Sequence, residues 1–140
     1  MSVTISGSGQ IVKQLVNANF TTIQSTTSST PVSTTLTATI TPTNSANKIY
    51  ISVSSVGGQS SSGRSSRFYI YRGATQLTTT ECNDNSGLLY FPICMTWLDS
   101  PATTSSTTYT IYFATDGVGT NYFGQANSPS VITLMEIAYA

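Results

Sequence analysis

Apolar and polar side chains alternate along most of the chain. Leu36, Ala38 and Ile40, for example, fall on one face, and the threonines between them fall on the other. A period of two is typical of a β-strand with one buried face, because successive side chains point to opposite sides. The pattern recurs along the sequence at 34–41, 49–54, 68–72, 109–113 and 131–139.

Turn-forming residues separate these segments. Clusters of Gly, Pro, Asn, Asp and Ser stand at 42–45, 57–63, 73–75 and 116–117. A longer β-prone run, 88–98, contains Pro92, which cannot donate to a ladder and therefore predicts an edge strand or a bulge. About eight strands with short polar loops predict an all-β fold, an antiparallel β-sandwich or jelly roll.

The N-terminal segment differs from the rest. Residues 10–16 could form a short amphipathic helix, but their β-branched content and the preceding Gly-Ser-Gly favour an extended chain. We therefore expect residues 1–20 to be an N-terminal arm or first strand, and residues 21–140 to be a single β-sandwich domain. Such an arm could add a strand to the sheet edge of a neighbour.

Composition narrows the possible functions. Serine and threonine make up roughly a third of the 140 residues, and five basic residues balance five acidic ones. A balanced chain has no clustered cations to bind nucleic acid, and it has no apolar stretch long enough for membrane insertion. Its low charge gives weak mutual repulsion and favours association into an assembly.

Catalytic and metal-binding constellations are missing from the sequence. The chain has no histidine to activate a serine, and Ser45 to Lys48 matches Ser-x-x-Lys without its companion motifs. Cys82 and Cys94 could form a disulfide or remain reduced thiols, and the acidic stretch 81–85 reads as a polar turn rather than a calcium site. We expect no catalytic, cofactor-binding or metal-binding residues.

Two charged residues fall on otherwise apolar strand faces. Arg72 is in phase with Ile70, and Glu136 is in phase with Leu134. Because an unpaired buried charge costs several kcal/mol, we expect the two side chains to pair with each other or across a subunit interface, unless both lie at the sheet rim in water.

Five segments in order resemble a module found repeatedly in virion proteins of bacteriophages, notably cyanophages and other marine phages. The matching pieces are GQIVKQ (9–14), LTATITP (36–42), FYIYRGAT (68–75), LDSPATT (98–104) and VITLMEI (131–137). The resemblance implies a β-sandwich, a homotrimer and a non-enzymatic role on the virion surface, after assembly in the bacterial host cytoplasm. Modules of this kind often form the tips of tail fibres.

The match begins a few residues after Met1, which favours a free-standing decoration (cement) protein that stabilises the phage head. The expected partners are then the chain itself and the major capsid protein. The alternative is a receptor-binding tail-fibre tip, with tail components and host surface polysaccharide as partners. The candidate interface residues are Ile11, Val12, Leu15, Val16, Arg72, Glu136 and Tyr139.

The aromatic residues are compatible with two kinds of binding partner. They fit either a protein interface, where tyrosine is enriched, or a glycan site, where aromatic rings stack on sugars. The glycan alternative would also involve loops 59–63 and 103–107. The aromatic set comprises Tyr50, Tyr69, Tyr71, Tyr90, Tyr112, Tyr122, Phe123 and Tyr139.

Overall fold

The computed structural model describes residues 11–84 and 89–138. They form ten strands and two antiparallel sheets, and no helix occurs in these two ranges. The fold is therefore an all-β sandwich. The strands are β1 (Val12–Phe20), β2 (Gln24–Thr26), β3 (Val32–Ile40), β4 (Lys48–Gln59), β5 (Arg64–Arg72), β6 (Thr75–Asp84), β7 (Leu89–Asp99), β8 (Thr107–Thr115), β9 (Asn121–Phe123) and β10 (Ser130–Ile137).

Sheet A has six strands and is organised around β4. On one side, β4 pairs with β10 and, further along, with β9. Strand β1 then pairs with β10, and β2 pairs with β9. Along the other side of β4 runs β7, which pairs with no further strand among the described residues and so forms an edge. The edge position of Pro92 is thus confirmed.

Sheet B has four strands in the order β3-β8-β5-β6. Strands β5 and β8 are central, and β5 turns into β6 through Gly73 and Ala74. Gly73 has a φ of 53°, a left-handed conformation that glycine adopts without steric cost.

The core lies between the sheets and follows the alternation of the sequence. Leu36, Ala38 and Ile40 of β3 are all at most 4% exposed, as the period-two pattern predicts. From sheet A, Ile49, Ile51 and Val53 of β4 are fully buried. Burying each large apolar side chain stabilises the fold by about 1.5–3 kcal/mol, so the two facing rows hold the sandwich together.

The structure agrees with the prediction for residues 12–20 and differs from the prediction for residues 81–84. Residues 12–20 are extended, as predicted, but they are paired along β10 as strand β1. The polar turn expected at 81–85 is wrong for its first four residues, which continue β6 opposite β5; residue 85 lies outside the described ranges. Cross-strand pairing holds this polar stretch in an extended form, which local composition does not reveal.

Candidate interaction surfaces on the two outer faces

Four apolar side chains form a row across the outer face of sheet A. Leu15 of β1 is opposite Met135 of β10, Met135 is opposite Tyr50 of β4, and Tyr50 is opposite Leu98 of β7. We call these four residues the apolar row. Leu15 is 59% exposed and Leu98 is 55% exposed. The row therefore presents apolar surface to solvent across four neighbouring strands.

Strand alternation places the row on the outside. Ile49 and Ile51 flank Tyr50 in sequence and are fully buried, so Tyr50 must point the other way. Directly opposite side chains on one sheet face lie about 4.5–5.5 Å apart at their Cβ atoms. The members of the row are thus close enough to act as one continuous patch.

Polar side chains bound the apolar row on one side. The next outward-facing row is Asn17, Thr133, Ser52 and Thr96. Asn17 donates to the Thr133 hydroxyl over 3.0 Å. A polar border of this kind is typical of the rim of a protein interface.

Other exposed apolar side chains cluster on the same sheet. Among the described residues, the large apolar side chains that are exposed lie in or beside strands of sheet A, with one exception in the β8–β9 loop, Val118. Those on sheet A are Ile11, Val12, Leu15, Ile23, Tyr90, Trp97 and Leu98. The exposed apolar side chains of the described residues are therefore concentrated on sheet A.

The outer face of sheet B carries tyrosines among hydroxyl residues. Tyr69 of β5 is opposite Tyr112 of β8, and Tyr71 of β5 is the next outward residue. The rings of Tyr71 and Tyr112 stack with centroids 4.2 Å apart, and Tyr69 meets Tyr71 edge-on at 6.3 Å. We call these three residues the tyrosine cluster.

Arg72 forms an ion pair within the chain. Its Nη1 atom lies 2.9 Å and 2.8 Å from the two carboxylate oxygens of Asp99, which is buried. The Tyr109 hydroxyl donates to the same carboxylate over 2.7 Å. Burial and this hydrogen bond raise the pKa of Tyr109, so the phenol remains a donor. The expected pairing of Arg72 with Glu136 is therefore wrong, since the cation is bound to Asp99.

Glu136 is fully buried and is held by uncharged donors. Gln14 Nε2 and Asn47 Nδ2 each donate over 2.6 Å, and Thr43 donates from its N–H over 2.7 Å and from its hydroxyl over 2.8 Å. Burial alone would raise the pKa of this carboxyl, but the hydrogen bonds from Asn47, Gln14 and Thr43 outweigh it and lower the pKa to about 2. With no exposed surface, Glu136 cannot touch another subunit or water at the rim.

The remaining interface candidates fall in three places. Ile11, Val12 and Leu15 are exposed, on or just before β1. Val16 instead packs against the core. Tyr139 lies outside the described residues.

Two members of the apolar row, Leu98 and Met135, were not among the sequence-based candidates, and Tyr50 was there only as part of the aromatic set. Each occupies the polar phase of its strand, as Met135 does between Leu134 and Glu136. An apolar residue at a position where the alternation predicts a polar one was therefore the sequence feature that could have identified them. Only the register of four strands shows that these residues meet Leu15.

The structure places the residues that were considered for metal binding and catalysis. Within 11–84 and 89–138, no three His, Cys, Asp or Glu side chains are grouped to hold a metal ion. Cys82 and Cys94 are both free thiols. Lys48 of the Ser-x-x-Lys match donates to the Ser100 hydroxyl over 2.6 Å. Over the same ranges, no helix has the length and hydropathy needed to cross a membrane.

Comparisons with known proteins give a structural likeness at low identity. No family model matches the sequence, and neither does any curated protein. Among solved structures, the crystal structure of the infectious bursal disease virus VP2 subviral particle is similar, with a TM-score of 0.45 and 12% identity. The match covers 89% of this chain and 38% of that chain.

Proposed function

We propose that the chain is a non-enzymatic virion structural protein, a homotrimer that decorates and stabilises a phage head. The apolar row on sheet A is the observation that supports this proposal most strongly. The resemblance to phage virion modules, carried by the five sequence segments, agrees with it. The major capsid protein is the partner on which the outer face of sheet A docks.

Attachment by sheet A has a simple energetic basis. Covering an exposed leucine removes apolar surface from water and contributes about 1.5–3 kcal/mol when burial is complete. A homotrimer presents three such faces, and linked contacts raise the effective concentration of each at the particle. Weak individual patches can then give tight attachment.

The N-terminal segment contributes to this face as a fixed strand. Leu15 is carried by β1, whose backbone pairs with β10 from Val12 to Phe20. Deleting residues 2–17 would remove most of β1 and expose β10 and the side of the core that Val16 covers. Such a deletion tests folding rather than attachment, so point variants of the apolar row are the better test.

The first experiment images labelled protein on purified particles of a phage that carries this chain. We expect label in many regular copies over the head. The double variant Leu15→Ser with Leu98→Ser should bind at least about tenfold more weakly, because the two most exposed side chains of the row are lost. Its melting temperature should match that of the native protein, since both side chains are more than half exposed.

Val118→Ser is the matched control. Val118 is 49% exposed but lies in the β8–β9 loop, away from the apolar row. It should bind particles like the native protein. Label confined to the tail would contradict the decoration role and support the tail-fibre alternative. Normal binding by the double variant would contradict attachment through sheet A.

A further inference from the structure

The tyrosine cluster lies at the centre of sheet B. Its members project from β5 and β8, the two central strands, which are paired on both sides. Tyr69 is only 8% exposed and supports Tyr71 edge-on, while Tyr71 and Tyr112 are partly exposed. The two stacked rings thus each have one covered face and one face turned away from the stack. An aromatic platform held in this way loses little freedom when a ligand binds.

Hydrogen-bonding side chains surround the platform. Gln76 Oε1 accepts from the Tyr71 hydroxyl over 3.2 Å. Thr37 and Thr110 share a hydrogen bond of 2.9 Å beside Tyr71, and Thr79 stands opposite Tyr69. Hydroxyls and carboxamides both donate and accept, which matches the mixed donors and acceptors of sugar hydroxyls.

The charges on this face cancel locally. Arg67 Nε lies 3.2 Å from Glu81 Oε2, and the two residues are directly opposite on β5 and β6. At the end of the sheet, Arg64 lies 3.5 Å from Asp116. The neighbourhood of the tyrosine cluster therefore attracts neither anions nor cations strongly, and a neutral ligand suits it best.

Apolar protein surface is a poor match for this face. Among the described residues, none of the exposed large apolar side chains lies on a strand of sheet B. A protein partner would bury hydroxyl groups without gaining aliphatic contacts, at a cost for each hydroxyl left without a partner. A sugar offers a C–H face to the rings and hydroxyls to the surrounding polar groups.

We propose that the outer face of sheet B is a carbohydrate-binding site for a neutral polysaccharide, with Tyr71 and Tyr112 as its stacking platform. Sugar rings pack on the free faces of these two residues. Gln76, Thr37 and Thr110 bond the sugar hydroxyls. The site is tested on isolated protein and does not depend on where the chain sits on a particle.

The test is affinity gel electrophoresis of the native protein in gels that contain dextran, mannan or galactan as neutral polysaccharides. Heparin serves as the acidic comparison. We expect at least one neutral gel to retard the protein and heparin to have no effect. Tyr71→Ala and Tyr112→Ala should each weaken retardation roughly tenfold, the worth of one aromatic contact. Tyr71→Phe keeps the ring and should retain most of the binding.

Tyr90→Ala is the matched control, because Tyr90 is 41% exposed but lies on sheet A. It should bind like the native protein, as should the Leu15→Ser, Leu98→Ser variant, which separates this site from particle attachment.

A second measurement uses the native protein and so does not depend on the folding of variants. The ring NMR signals of Tyr71 and Tyr112 should shift on titration with dextran or whichever neutral glycan binds. Retention in heparin alone, no retention in any gel, or binding unaffected by folded tyrosine variants would overturn the proposal.

Discussion

Two buried carboxylates flank Ile49 of β4, one on β7 and one on β10, and they are stabilised in different ways. Asp99, at the end of β7, has a cation, Arg72, and a phenol, Tyr109. Glu136, on β10, has four hydrogen bonds from neutral groups. A carboxylate that accepts several hydrogen bonds keeps its charge without a cation, as its lowered pKa shows. The bonds also tie β1, β10 and the β3–β4 turn together.

Glu136→Gln should destabilise the protein at neutral pH by about 2–3 kcal/mol, because an amide NH₂ would face donors. The folded pKa of Glu136 is about 2, against an ordinary value of 4.5. Its contribution is therefore complete above about pH 4.5 and is lost as the pH falls towards 2. Urea unfolding at several pH values should show that the free energy of unfolding falls less between pH 4.5 and pH 2 in the variant than in the native protein.

Glu81→Gln is the control for this pH series. The pKa of Glu81 is also lowered, through hydrogen bonds from Ser65 and Arg67, but the side chain is 42% exposed. Water screens its interactions, so the variant should keep the native acid dependence. An unchanged acid dependence in Glu136→Gln would show that the carboxylate is not held as described.

Sequence pattern identified Arg72 and Glu136 as charges on buried faces, which the structure bears out for Glu136 and in part for Arg72. It did not identify their partners. In the sequence, Asp99 lies within the segment LDSPATT and Gln14 within the expected N-terminal arm, and neither position marks the residue as a partner. The partners are 27 residues away from Arg72 and 122 residues away from Glu136. Such pairs depend on strand order, which local periodicity does not encode.

At the scale of elements, β4 is the strand on which sheet A depends. Its twelve residues pair with β7 on one side and with β10 and β9 on the other. Gly57 sits where β4 passes closest to the core: a Cβ there would lie 2.6 Å from Ile93 and 2.8 Å from both Phe68 and Phe91. The aromatic packing around it needs the absence of a side chain.

Gly57→Ala should therefore lower the free energy of unfolding by about 1–3 kcal/mol, the usual cost of overpacking a core. Chemical denaturation measures the change. Ser54→Ala, on the exposed face of the same strand, should stay within about 0.5 kcal/mol of the native protein. Equal stability of Gly57→Ala and the native protein would mean that the packing described around Gly57 is wrong.

The long strands were the predictable elements. Period-two segments correspond to β3, β4, β5, β8 and β10, because each has one face in the core. The three-residue strands β2 and β9 are too short to show a period, and β6 is largely polar. The fold class could therefore be predicted, while the neighbours of each strand, and with them the apolar row, could not.

For the whole molecule, the two sheets have outer faces of opposite character. Sheet A presents the apolar row, and sheet B presents tyrosines and threonines. If the chain docks as proposed, sheet A lies against the capsid and sheet B faces outward. Only 7% of the residues are charged, so for the proposed attachment we expect apolar contact, rather than charge, to set the orientation.

Particle attachment should accordingly resist salt. Raising the ionic strength from about 0.1 M to about 1 M shortens the screening length from about 10 Å to about 3 Å, which would weaken attachment through charges. Salt does not screen apolar contact. The amount of protein that pellets with particles at about 1 M salt should therefore stay within about threefold of the amount at about 0.1 M. Release of the protein at high salt would show that attachment is electrostatic.

The pairing of β1 with β10 has a consequence for biosynthesis. These strands are the first and the last of the described domain, and they are directly hydrogen-bonded from Val12–Ile137 to Phe20–Ser130. Strand β1 leaves the ribosome long before its partner exists, and such distant pairings form slowly. Sheet A is therefore completed only after translation of β10, and a chain stalled before that strand would display an unfinished edge to other nascent chains.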